Sequence, residues 1–130
     1  MREILFRGKF GNEWKYGFLS IEPKGLVIKE PYKNESSNVW HIDADTVGQY
    51  TGYTDMNGKK IFEGDIVAFN YTADELTNCE ILWFKNKWVV RERVHYAIND
   101  IDSFFCGRST VIGNIYDNPE LLKGENNDKL

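Results

Sequence analysis

The chain has 130 residues, 42% of them hydrophobic and 15% aromatic, with a formal net charge of −4. That length suits one domain, or one domain with a smaller lobe, and the apolar share is enough for a core. The acid excess excludes a protein whose main work is to coat a nucleic-acid backbone, which needs clustered positive charge.

Aromatic and β-branched residues favour pleated, half-buried surfaces, so the elements are read first as strands. Arg2 to Arg7 reads as a strand, and the glycine-rich Gly8 to Glu13 as a turn. Trp14 to Ile21 follows as a second strand, with Trp14, Tyr16 and Phe18 at period two. Pro23-Lys24-Gly25 breaks it. Leu26 to Lys29 and Val39 to Ile42 are predicted to pair as a hairpin around the polar loop Lys33 to Asn38.

Gly48 to Thr54 and Lys59 to Phe62 flank Asp55-Met56-Asn57-Gly58. Asn57 and Gly58 tolerate positive φ, which a hairpin of two residues or close to it demands, and Asp55 can cap that turn. Glu63-Gly64-Asp65 bends the chain into a strand from Ile66 to Tyr71, with Asp65 placed to accept a backbone N–H. Asn57, Gly58, Gly64 and Asp65 are therefore read as turns that mark the fold and not as catalytic residues. Asn78 to Phe84 and Lys87 to Tyr96 form a second hairpin about Lys85-Asn86. In its second arm Trp88, Val90 and Val94 alternate with Val89, Arg91, Arg93 and His95, which gives a charged outer face. Glu92 falls on the apolar side, an awkward place for a charge unless the strand is an edge or wet on both faces.

Ala97 to Asp102 reads as irregular or a short helical turn, and Thr110 to Tyr116 as the last strand. Asn118-Pro119-Glu120 then opens a short helix, with Asn118 as N-cap and Pro119 at the first helical position. Residues 123–130 are a polar tail.

Candidate chemistry is sparse. His41, Asp43 and Asp45 alternate and would share a strand face, the donor types that could hold a divalent metal. Three such groups on one strand do not close a coordination sphere, so no metal is expected there. Cys79 and Cys106 lie far apart and outside any CxxC, as expected of two reduced structural thiols. There is no nucleophile elbow, phosphate loop or dinucleotide fingerprint. No catalytic residue and no cofactor are assigned. Lys87, Arg91, Arg93 and Arg108 are the best basic patch, with Trp83 and Trp88 near enough to stack on bases. No segment approaches the roughly 20 apolar residues of a membrane span, and MREILFRGKFG lacks a signal-peptide apolar run. No membrane association and a cytoplasmic location are expected.

Three segments point to a family. REILFRGKF with the Trp14 strand after it, TVGQYTGYTDMNGKKIFEGDIV from Thr46 to Val67, and VIGNIYDNPELL from Val111 to Leu122 together resemble the YopX family of phage and prophage proteins. Length and segment order agree. Tyr53 departs from the pattern, where a smaller aliphatic residue such as Leu is expected, and Ala73 to Ser109 resembles no part of it. The resemblance implies a β-rich protein with a barrel-like portion around the Gly-Asp-Ile-Val strand, phage-encoded and working in a bacterial cytoplasm. It brings no established activity and no catalytic residues to carry over.

The expected fold is mainly β, with an N-terminal hairpin region over about 1–45 and a small bent barrel over about 46–122. Together they make one YopX-like domain over 1–122, closed by a short C-terminal helix. The expected function is that of a non-enzymatic protein-binding or accessory module. Its partner is a host or phage protein, and homo-oligomers are open to it. The alternative is a nucleic-acid-associated phage factor that uses the basic face from Lys87 to Arg93. The charge sum does not favour it.

Overall fold

A computed structural model describes residues 2–30, 38–72, 74–92 and 97–123, with the side chain of Tyr71 left aside. The chain divides into two compact units, Met1–Gly52 and Tyr53–Leu130.

The first unit is an antiparallel sheet. Its strands are β1 (Phe6–Phe10), β2 (Glu13–Glu22), β3 (Gly25–Lys29), β4 (Val39–His41) and β5 (Asp43–Thr54), in the order β4-β3-β2-β1-β5. The predicted pairing of β3 with β4 is present, with Val27 opposite His41 and Lys29 opposite Val39. Trp40 Nε1 closes it by donating to Glu30 Oε1 at 2.6 Å. The loop predicted over Lys33 to Asn38 lies outside the described residues except for Asn38. The first strand starts later than its apolar pattern suggests and runs through Gly8, which was expected in a turn. Gly8 lies against the Ile42 side chain, where a Cβ would collide, and the β1–β5 register shifts between Arg7 and Lys9. Gly8 therefore marks a bulge with close approach, not a reversal. The reversal is at Gly11, where φ is +62°.

The second unit opens with the end of β5 and with β6 (Lys60–Phe62), which extends the same sheet beside it. A five-stranded antiparallel sheet follows, in the order β10-β9-β8-β7-β11. Its strands are β7 (Asp65–Thr72), β8 (Glu75–Phe84), β9 (Lys87–Glu92), β10 (Ile98–Asp100) and β11 (Ser109–Asn114). The β8–β9 hairpin turns at Lys85-Asn86 as predicted, with φ of 49° and 65°, the left-handed pair of a two-residue type I′ loop. The register puts Val67, Phe69, Cys79, Ile81 and Val90 on one face. With Ile61, Ile101 and Phe105 these residues form the buried core. Phe105 comes from α1 (Ser103–Cys106) and stacks on Phe69 at 5.0 Å between centroids.

Three expectations change here. Ala97 to Asp102 is not irregular: Ile98–Asp100 pairs with β9, and Asp102 caps α1 by accepting from Phe105 N at 2.9 Å. The C-terminal helix is a single 3-10 turn, Pro119–Leu122, with Asn118 at its N-cap and Pro119 in its first turn as expected, but the Asn118 side chain makes no capping bond. Its Oδ1 accepts from Asn114 N at 3.3 Å instead. Among the described residues no pairing closes either sheet into a barrel: β4 and β6 end the first sheet, and β10 and β11 the second.

Candidate functional site

The central signature is absorbed by turn chemistry. Asp55 is buried, and its Oδ1 accepts from Asn57 N and Lys59 N, both at 2.9 Å. Its Oδ2 accepts from Val111 N at 2.9 Å, tying the turn to β11. Burial pushes the Asp55 carboxyl up, but the three backbone donors and the Lys59 charge outweigh it and hold the group below its ordinary value. Asp55 N donates to Lys59 O and Gly58 N to Asp55 O. The loop is thus Met56-Asn57-Gly58, three residues and not two, with Gly58 at φ +81° in the left-handed position that ends such a loop. Gly64 is at φ +89°, and buried Asp65 accepts from Phe62 N at 2.7 Å.

The His41, Asp43 and Asp45 side chains are all exposed. Asp43 Oδ1 accepts from Asp45 N at 3.0 Å, an Asx-type local bond. Among the described residues no three His, Cys, Asp or Glu side chains gather to hold a metal.

Two cations of the basic patch, Lys87 and Arg91, are matched by acids. Lys87 and Arg91 share a face of β9 as the alternation predicts. Lys87 Nζ sits 2.8 Å from Asp100 Oδ1, and Arg91 Nη2 sits 2.7 Å from Glu80 Oε1. Val89, read as part of that outer face, is fully buried. Arg93 lies outside the described residues. Arg108 is exposed, its guanidinium 4.6 Å from the centroid of the Phe104 ring.

A cavity of about 270 Å³ opens between the core face of the five-stranded sheet and α1. Phe69, Cys79, Val90, Phe104 and Phe105 are its apolar lining, and Thr77, Glu92, Asn99, Asp100 and Asp102 its polar lining. The register explains four of these: Phe69 is opposite Thr77, and Cys79 is opposite Glu92, so all four share one face. Glu92, out of place in the sequence pattern, is one of three carboxylate residues that line this cavity, with Asp100 and Asp102. Thr77 Oγ1 is buried and has no hydrogen-bond partner among the described residues. Burial, reinforced by the Glu92 charge, pushes the Cys79 thiol up to about 12. Burial, with Asp102 and Asp55 nearby, also raises Cys106. Neither sulfur is a ready thiolate at neutral pH. The only sequence signal for this cavity was the misplaced charge at position 92. The covering helix carried none, because four residues are too few for a readable period.

Two antiparallel sheets, one of six strands and one of five, make this a mainly β protein. The YopX family profile matches residues 7–123, and the chain belongs to that family. Its fold is similar to that of YopX from Bacillus subtilis, at 21% identity and a TM-score of 0.64, covering 95% of this chain and 100% of that one. It is also similar to a solved Enterococcus faecalis protein, at 23% identity and a TM-score of 0.54 with the same coverage. A search of curated proteins found no match. Among the described residues no helix is long and apolar enough to cross a membrane.

Proposed function

We propose that this chain is a phage- or prophage-encoded, non-enzymatic binding module that acts in the bacterial cytoplasm on a host or phage protein. One observation carries the reading. In the first unit, Tyr16 and Phe18 lie on one face of β2, and Phe18, Lys29 and Val39 share a row across β2, β3 and β4. Tyr16, Phe18 and Val39 are 43%, 58% and 49% exposed. Neighbouring apolar and aromatic side chains left in water are what a protein partner covers, because aromatic anchors dominate interface energetics. Family membership supports the phage setting. The matched ion pairs at Lys87 and Arg91 weigh against the nucleic-acid alternative, since a paired cation has less to offer a phosphate.

The test compares the wild-type chain with a Phe18→Glu, Val39→Glu double variant as baits in host lysate. A partner is expected that the wild type enriches and the folded variant loses. Identical captures, or none, overturn the reading. Light scattering separates a second copy of the chain from a foreign partner. Gel shifts at roughly 150 mM salt, where exposed charges are largely screened, address the alternative. Tight binding there, lost in Arg91→Glu with Arg93→Glu, puts nucleic acid first.

A further inference from the structure

Asn57 is the one asparagine in the chain that a glycine follows. It is exposed at the centre of the Met56-Asn57-Gly58 loop, and nothing lies within 4 Å of a Cβ built on Gly58. Asparagine is among the thermolabile side chains. Here it has the room for an intramolecular reaction, attack of the Gly58 backbone nitrogen on the Asn57 side-chain amide carbon. A side chain on the following residue obstructs that approach, as at Asn86-Lys87, and Asn118-Pro119 has no N–H to give up. The loop opposes the reaction. The attacking nitrogen must first lose its proton, and Gly58 N–H is held on Asp55 O at 3.0 Å. Asp55 also holds the residues on either side of Gly58, with Oδ1 accepting from Asn57 N and Lys59 N, both at 2.9 Å. Its Oδ2, on Val111 N at 2.9 Å, anchors the whole turn to β11. A hydrogen-bonded amide gives up its proton to solvent only when its surroundings open.

We propose that Asn57 is a site of spontaneous deamidation, latent while the loop is closed and released when it opens, with Asp55 as the positioning residue that sets the rate. Hydroxide takes the Gly58 amide proton, and the nitrogen forms a bond to Asn57 Cγ. The Cγ–Nδ2 bond then breaks, and Nδ2 takes a proton from water and leaves as ammonia. The resulting succinimide ring joins the Gly58 nitrogen both to Cγ and to the main-chain carbonyl carbon of residue 57. Water opens the ring. Breaking the bond to Cγ leaves an aspartate, and breaking the bond to the main-chain carbon leaves an isoaspartate. The net change is water consumed and ammonia released, with nothing oxidised or reduced. Neither product suits the loop as asparagine does. Both put a negative charge on the residue whose N–H Asp55 holds. Asp55 is buried and, with its carboxyl below its ordinary value, is itself ionised at neutral pH. Isoaspartate also adds a main-chain carbon to a loop whose ends are fixed by Asp55 N donating to Lys59 O at 2.8 Å. The reaction is thus a one-way loosening of the turn, and it weakens the tie from Asp55 to β11.

The test incubates the full chain at mildly alkaline pH, folded and in guanidinium chloride. Peptide mapping that separates asparagine, aspartate and isoaspartate follows position 57. The folded chain is expected to deamidate at least about tenfold more slowly than the unfolded one, because its rate is the open rate multiplied by the open fraction. Exchange of the Gly58 amide hydrogen in the folded chain should be slowed by a similar factor, since both processes begin by removing that proton. Asn86 should stay intact over the same interval. Asp55→Ala, read where circular dichroism shows it folded, should deamidate faster than the wild type while the β8–β9 hairpin keeps its exchange protection. In the purified isoaspartate form the Val111 amide, held by Asp55 in the parent, should exchange faster. A folded chain that deamidates as fast as the unfolded one overturns the proposal without recourse to any variant. So does an Asn57 that stays intact in the unfolded chain, or slow deamidation beside an unprotected Gly58 amide. An unchanged rate in folded Asp55→Ala removes Asp55 from its role and overturns the proposal as stated.

Discussion

At the scale of single residues, Asp55 organises the backbone on both sides of its turn. Its two oxygens accept three N–H groups, one from a strand 56 positions away. Asp55→Ala leaves those donors unmatched inside the protein and should cost on the order of 3 kcal/mol, read by denaturant unfolding. Its depressed pKa gives that contribution a pH signature. The folded carboxyl titrates below its ordinary 3.8. The stabilisation is therefore full above the unfolded value and is lost as pH falls through the folded one. Acid titration of wild type and Asp55→Asn should show the difference between them shrinking below about pH 4. Gly58 makes a second, purely conformational case. Its φ is +81° and nothing lies within 4 Å of a Cβ built there. Gly58→Val should cost about 1 kcal/mol or more through backbone strain alone. A thermal midpoint equal to the wild type's would contradict both the strain and the loop assignment.

At the scale of elements, strands were legible wherever side chains alternate between two environments. Trp14 to Ile21, Leu26 to Lys29 and the pair around Lys85-Asn86 stand close to their predicted positions because period-two patterning and turn residues act locally. Gly8 misled for the opposite reason. Its role is set by Ile42, far along the chain, and a glycine that admits a neighbour looks like a glycine that turns. The candidate site was hidden by the same kind of non-local cause. Glu92 signals something unusual on β9, but only the pairing with Cys79 shows that it faces a cavity, and only α1 gives that cavity a roof. The small bent barrel was expected from turn spacing and from the family resemblance, and turn spacing counts strands but does not say whether the last meets the first. Because α1 is one turn long, it is held by packing rather than by helix propensity. Phe105→Ala should therefore cost about 3 kcal/mol or more. It should also release the segment 103–106 from hydrogen-exchange protection while the β8–β9 hairpin keeps its own.

At the scale of the whole molecule, both cysteines fall in the second unit, and Cys79 is 2% exposed in its core. A thiol that is shielded and protonated reacts with an alkylating reagent only when its surroundings open. With Cys106→Ser removing the shallower sulfur, the labelling rate of Cys79 becomes a clock for excursions of one half of the chain. Tryptophan supplies a second channel: Trp14 and Trp40 lie in the first unit, Trp83 and Trp88 in the second. If the halves melt as one cooperative body, the free energy from Cys79 labelling under native conditions should equal the global value from fluorescence. If they melt separately, labelling should report only the second half, and Phe18→Glu in the first should leave the rate unchanged. Cys79 thus offers a native labelling site for the cooperativity of a two-part chain.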